Sequence, residues 1–206
     1  MTPKHETWDP PATGGKTFPK HPEGSYRIVL VDALRLGLAV KTFGKDTKLV
    51  DKVVLLFQSE ELQEDGRAFE LAAEFTYSAS DKATLPKFLG KWLGLSTASD
   101  VDRGKLVSEI PAYIGRSGIG TVTQNAVGDK VYVNLTAVAP LMKGMAKLAP
   151  TTDYTRNEYW AKKKDRYAEE VAAYLKAAEA KAEAPPTDFD DVPGPLDKSN
   201  ENDLPF

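Results

Sequence analysis

RAFELAAEFTYSASDKATLPKFLGKWL, residues 67–93, changes its hydrophobic period half-way along. In the first part Phe69, Leu71, Ala73, Phe75 and Tyr77 fall on alternate positions, with Glu70 and Glu74 between them. Successive strand residues point to opposite faces, so residues 67–77 read as a strand with one apolar face. Further on the spacing becomes three and four. Leu85, Phe88, Leu89, Trp92 and Leu93 form one stripe of a helix. Ser80 is the expected N-cap. Pro86 places the helix start near Leu85, because proline fits only the first turn. A strand therefore runs into a helix.

Two strands are expected upstream. Residues 24–31 (GSYRIVLV) are rich in β-branched side chains behind a leading glycine. Residues 38–43 either extend that strand or form a short one of their own, and Gly44-Lys45-Asp46 is a turn. Residues 48–57 (KLVDKVVLLF) have an apolar second half, which predicts burial on both faces. Asp65-Gly66 marks the next turn. Downstream, residues 100–110 read as a short helix or loop. Residues 119–126 and 130–138 then form a hairpin around Val127-Gly128-Asp129-Lys130. Its second arm alternates Val131, Val133 and Leu135 with Tyr132, Asn134 and Thr136.

The order of three strands, a helix and two strands matches a five-stranded OB barrel. Order and count alone leave other small β-barrels open. Residues 156–184 lack Gly and Pro and are rich in Ala, Lys and Glu, so they read as a long helix. Tyr159, Trp160, Tyr167, Val171, Tyr174 and Leu175 are its expected apolar stripe. Lys162, Lys163, Lys164 and Arg166 give its first half a positive surface. The expected fold class is mainly β with helices. A flexible arm spans 1–23, an OB domain 24–150, the helical segment 151–184 and a disordered acidic tail 185–206.

The net charge of −3 over 206 residues conceals a polarised layout. Residues 185–206 hold six acids against one base, so the rest of the chain is slightly cationic. With Pro and Gly among its charges, that tail has too little apolar surface to offset its ordering entropy. Its tip sets Leu204, Pro205 and Phe206 after Asp203, an apolar end suited to a pocket with a basic rim. The absence of Cys excludes a disulfide scaffold, a thiolate zinc site and a Cys nucleophile. No apolar run reaches the length of a membrane span and no signal-peptide core opens the chain, so a soluble, cytoplasmic protein is expected.

Catalysis finds little support. The two histidines, His5 and His21, both fall in the arm, away from a rigid surround. Gly115-Arg-Ser-Gly118-Ile-Gly120 reads as a turn and bulge rather than a phosphate cradle. No enzyme activity, cofactor or metal is expected. Binding is better supported, because basic residues accompany aromatic ones on the strands and turns. The candidate nucleic-acid contacts are Arg27, Lys41, Phe43, Lys45, Lys48, Lys52, Tyr77, Lys82, Lys130 and Tyr132. Bases stack on aromatic faces while Lys and Arg track the phosphates of a single strand. Phe57, Phe69, Phe75 and Trp92 are assigned to the core instead.

Two features resemble a known family. Asp203-Leu204-Pro205-Phe206 resembles the acidic, Phe-terminated tail of bacterial and bacteriophage single-stranded-DNA-binding proteins, whose bacterial consensus ends Asp-Ile-Pro-Phe. Residues 24–145 resemble small phage-encoded OB-fold proteins of that function. The matching stretches are Gly24-Ser-Tyr26-Arg27, Phe75-Thr-Tyr77-Ser78 followed by Lys82, Leu85-Pro-Lys-Phe-Leu-Gly-Lys-Trp92-Leu-Gly94, and Val131-Tyr132-Val133-Asn134-Leu135 leading to Pro140-Leu141. The resemblance implies sequence-independent binding of single-stranded DNA in phage replication and recombination. It further implies that the tail Asp203, Leu204, Pro205 and Phe206 recruits replication and repair proteins and can fold back onto the DNA groove. A rival reading is a non-enzymatic interaction or assembly module, and a third is a small nuclease or annealing factor. DNA against RNA, and whether the long helix forms a homo-oligomer or covers the barrel, stay open.

Overall fold

The computed structural model describes residues 19–128 and 130–183. The expected acidic tail, and all but the last five residues of the expected arm, lie outside the described residues. Five strands form one antiparallel sheet: β1 (Gly24–Phe43), β2 (Asp46–Leu62), β3 (Ala68–Thr76), β4 (Ser117–Val127) and β5 (Lys130–Pro140). Between β3 and β4 come α1 (Thr84–Leu93), α2 (Asp100–Ser108) and a 3-10 turn at Ile110–Tyr113; α3 (Glu158–Glu183) closes the described chain. The sheet order is β3-β2-β1-β4-β5. No ladder joins β3 to β5, so the sheet is open, and the closed barrel expected from the sequence is not formed by hydrogen bonding.

Of the two readings of residues 38–43, the structure takes the extension: they continue the strand begun at Gly24, which is twenty residues long. β1 stays continuous by bulging twice, at Val31 and Leu36, where its register against β2 shifts. A bulge adds one unpaired residue and bends the strand. The bends let the first part of β1 pair with β4 while the remainder runs out with β2 as a long hairpin.

Side-chain parity divides the packing in two. Ile28, Leu30, Val53, Leu55, Phe57 and Leu71 face an inner core, closed below by Leu85, Leu89 and Trp92 of α1. Phe57 meets Trp92 edge to face at 5.4 Å, a geometry that sets the positive ring edge on the negative face. Val29, Val31, Val54 and Leu56 face the other way, against Trp160 of α3. The apolar second half of β2 is thus buried on both faces, as its unbroken run requires. Phe69, placed in the core from sequence, is buried against the His21 ring at 4.8 Å.

Ser80 is not the N-cap of α1. Ala83 holds that position without a side-chain cap, and Thr84 opens the helix. The reason is Pro86: its ring excludes a helical carbonyl four residues back, at Lys82, so no earlier start is possible. α2 carries the cap instead, where Ser99 and Asp102 form a reciprocal capping box. The bulge expected in the Gly115–Gly120 run is not there: Ser117–Gly120 pair in unbroken register, and the shift falls after them, between Thr121 and Val122, where the extra residue is Thr136 of β5. Gly115 does take a turn conformation, with φ +85. Gly118 and Gly120 serve packing, because a Cβ at either would meet Trp92 or Ile28.

His21 is not on a loose arm. It is 2% exposed, wedged edge-on against Tyr26 at 4.6 Å. Its Nδ1–H donates to the Pro22 carbonyl at 2.7 Å, and Gln124 on β4 donates to the His21 carbonyl at 2.8 Å. The end of the expected arm is therefore stitched to the sheet.

α3 spans nearly the range read from its composition, but its stripe is narrower. Trp160 is buried and Tyr167, Val171 and Tyr174 are half-buried, while Tyr159 and Leu175 are exposed. Polar contacts do much of the docking. Arg156, just before the helix, grips Asp32 through Nε at 2.7 Å and a second nitrogen at 2.9 Å, and the Tyr154 hydroxyl donates to the same carboxylate at 3.2 Å. Lys163 reaches Glu74 of β3 at 2.5 Å, and the Tyr167 hydroxyl donates to that carboxylate at 3.1 Å. Lys163 thus leaves the positive surface expected of this helix.

Candidate nucleic-acid interface

Six of the ten residues singled out from sequence lie on two hairpins. Lys41, Phe43, Lys45 and Lys48 surround the β1–β2 turn, and Lys130 and Tyr132 begin β5 at the β4–β5 turn; all six are exposed. Gly44 makes the first turn with φ +62 and Gly128 the second with φ +58, a region where a side chain would strain the backbone.

The β1–β2 tip carries an unneutralised cluster. Lys41 and Lys48 stand directly opposite in the ladder, and like charges in that relation repel. Lys45 sits in the turn between them. None of the three has an ion-pair partner among the described residues, and Asp46, the one acid of the turn, pairs with no cation there. Phe43 is half exposed, with the Lys41 ammonium 5.3 Å from its ring centroid. At the second hairpin Tyr132 faces Asn125 across the ladder and is half exposed beside Lys130. Its neighbours Val133 and Leu135 pack inward, which is why the alternating Tyr132 turns out.

Lys82, on the loop before α1, is exposed as well. The remaining three residues are engaged elsewhere. Arg27 shares the parity of Val29, so it lies where the chain after β5 crosses the sheet. It binds Glu60 at 2.6 Å and donates to the Ala146 carbonyl at 3.2 Å. Lys52 shares the parity of Val54, so it lies beneath α3 and pairs with Glu74 at 3.4 Å. Tyr77 packs on the inner core with the Arg35 guanidinium over its ring at 4.1 Å. Parity does not separate Lys52 from Lys48, which lies four residues away on the same face of β2; the difference is that Glu74 pairs with Lys52.

Electrostatics mark α3 as a fixed part of the fold. Burial by itself would raise the Asp32 carboxyl, but the Arg156 hydrogen bond and charge, with Tyr154, outweigh it and hold it below the usual carboxylate range. Burial likewise opposes ionisation of Glu74, and Lys163, Lys52 and Tyr167 more than reverse the effect. Beneath the helix lie Val29, Val54 and Leu56, aliphatic side chains that offer no stacking platform.

A basic group absent from the sequence reading gathers where α1 meets the end of β5: Lys87, Lys91, Arg116 and Lys147 around Pro140. These residues are far apart in the chain, and only the register that brings Pro140 of β5 beside Gly118 of β4 assembles them. Among the described residues no group of three His, Cys, Asp or Glu could hold a metal ion, and no helix is long and apolar enough to cross a membrane. No family model, no curated protein and no solved structure matches the chain.

Proposed function

We propose that the protein binds single-stranded nucleic acid, with DNA as the first substrate to test, through the tips of its β1–β2 and β4–β5 hairpins. The observation that carries this reading is the Lys41/Lys48 pair, two cations held in register with no ion-pair partner among the described residues. Such a pair costs the hairpin stability when empty, and a phosphate between the two ammonium groups removes the cost. Phe43 and Tyr132 supply exposed rings on which bases stack without regard to sequence. Lys45, Lys82 and Lys130 extend the phosphate contacts.

The same reading includes an OB-type architecture. It is supported by the strand order, by the helix between β3 and β4 under the inner core, and by the approach of β5 to β3 at the open seam. In OB folds the strand 2–3 face and the loops joining strands 1–2 and 4–5 carry oligonucleotides. Here α3 occupies the face over β1 and β2 and reaches the first hairpin, where the Tyr174 hydroxyl donates to the Thr47 carbonyl at 3.3 Å, so the exposed side chains of the two hairpin tips are what remain accessible. A role in phage replication or recombination, with the tail as a recruiting segment, follows from the resemblance of residues 24–145 and 203–206.

Fluorescence anisotropy with a labelled oligo-dT tests the reading. Affinity is expected to fall steeply with salt and to exceed affinity for duplex. Parallel RNA competition assigns the sugar preference. Absent binding, salt-independent binding or equal affinity for duplex would overturn it, and absent binding would favour the assembly-module alternative. Product analysis with Mg2+ or Mn2+ addresses the nuclease reading.

A further inference from the structure

β5 links the hairpin surface to a second basic one. Lys130 and Tyr132 stand at its start and Pro140 at its end, roughly 30 Å away over eleven residues of strand. Val133, Leu135 and Val138 pack inward, while Asn134, Thr136, Ala137 and Ala139 are exposed and uncharged. Over residues 110–152 the sequence holds one acid, Asp129, against Arg116, Lys130, Lys143 and Lys147. A polyanion that leaves the β4–β5 tip along this strand therefore meets no carboxylate from β4 or β5.

Two clefts adjoin at Pro140. One, of roughly 440 Å3, sets Lys87 and Lys91 of α1 beside Leu95 and Pro140. The two lysines are one helical turn apart, about 6 Å along the axis, which is on the order of the spacing of neighbouring phosphates in an extended strand. The other cleft, of roughly 290 Å3, runs from Trp92 to Leu141 with Arg116 and Lys147 on its walls. No carboxylate lines either cleft. None of the four cations has an ion-pair partner among the described residues. Leu95 is 53% exposed beside Pro140, an apolar wall for a base. Trp92 is an independent sign. It lines the second cleft, and its indole Nε1–H is buried without an acceptor among the described residues. A buried donor left unpaired is costly, and an oxyanion between Arg116 and Lys147 offsets that cost.

We propose that the clefts at Pro140 are a second contact for the single strand that the hairpin tips hold, reached along β5; this rests on the hairpin reading. Phosphates sit beside Lys87 and Lys91 and between Arg116 and Lys147, and a base lies against Leu95 and Pro140. A strand too short to span β5 stays at the hairpins, where Phe43 and Tyr132 offer exposed rings. A longer strand engages both surfaces, and two linked contacts bind far more tightly than either alone. Affinity therefore rises in two steps with strand length.

The test uses the full chain with oligo-dT of about 4 and about 16 nucleotides, the limits of site size for one OB fold. Anisotropy reads the long strand, and amide chemical shifts read the weakly held short one. The Trp92 indole N–H signal is expected to shift with the long strand and to stay in place with the short one. Lys91→Gln with Arg116→Gln should weaken the long strand roughly tenfold and flatten its log–log salt slope by about 1.4, two phosphate contacts at about 0.7 each. The short strand and the melting temperature should be unaffected. If that pair lowers the melting temperature, Lys87→Gln with Lys147→Gln must give the same selective loss. No loss at either length would overturn this proposal alone and leave the clefts to an acidic peptide. An equal loss at both lengths would overturn it too, because the clefts would then belong to one short site. A wild-type chain that binds neither oligonucleotide overturns the hairpin reading, and this proposal with it.

Discussion

Lys41 and Lys48 face each other with no ion-pair partner among the described residues, and that arrangement makes stability and binding pull in opposite directions. Lys48→Ala should raise hairpin stability by about 0.2–0.5 kcal/mol, because it removes a like-charge cross-strand pair. The same change should weaken single-strand binding and flatten the salt dependence by about 0.7 in the log–log slope, the share of one phosphate contact. Thermal melts and anisotropy at several salt concentrations read both signs. Phe43→Ala and Tyr132→Ala should each cost about 1–3 kcal/mol of single-strand affinity while leaving the melting temperature unchanged. Gly118 presents the opposite case, a residue that matters to the fold alone. A methyl there would press on the Trp92 indole and the Ala139 carbonyl, so Gly118→Ala should destabilise by about 1–3 kcal/mol, read as a lower denaturation midpoint. Tyr132 was visible in the sequence as a position out of phase with Val131, Val133 and Leu135, and Phe43 as an aromatic abutting the Gly44-Lys45 turn. The packing role of Gly118 was not, because a contact across the sheet leaves no periodic signal.

Among the elements, α3 is held by two ion-pair networks and one buried tryptophan, and this makes its attachment depend on pH. Asp32 and Glu74 both titrate below their ordinary values of 3.8 and 4.5 in the folded protein. A depressed folded value means that the stabilisation is complete above the unfolded value and disappears as pH falls through the folded one. Helix anchoring should therefore be constant from neutral pH down to about pH 5 and weaken below about pH 4. Amide exchange along residues 158–174 at descending pH should show α3 opening before β1 and β2. Asp32→Asn should make its first turns exchange faster at neutral pH. The long helix itself was legible, since it needs only composition and the absence of Gly and Pro. Its docking was not. Lys163 reads as one of a run of surface lysines, and only the position of Glu74 on the outward face of β3 turns it inward. The start of α1 was half legible: Pro86 located it correctly, and the attractive Ser80 was overruled by the carbonyl clash that the same proline imposes.

At the scale of the whole molecule, strand number, the intervening helix and the two-sided burial of β2 could be read from residue order and period. Whether the sheet closes could not, because closure depends on the bends of β1 at Val31 and Leu36 and on the distance across the β3–β5 seam. The sequence likewise left open whether the long helix dimerises or covers the sheet, and the answer bears on function. If α3 were a lid over a nucleic-acid face, its removal would expose a binding surface. The residues beneath it argue otherwise. Val29 and Val54 are fully buried and Leu56 nearly so, and the Lys52 ammonium is already paired with Glu74. A chain ended after Asn157 should therefore bind oligo-dT no more tightly than the full chain. It should bind a hydrophobic dye, associate at micromolar concentration and melt at a lower temperature, because the aliphatic strip loses its cover. Trp160→Ala should give the same behaviour in milder form, with a loss of about 3 kcal/mol if the site fails to collapse. A truncated chain that stays monomeric and gains affinity would identify α3 as a displaceable lid, and the hairpin tips would then be only the margins of the interface.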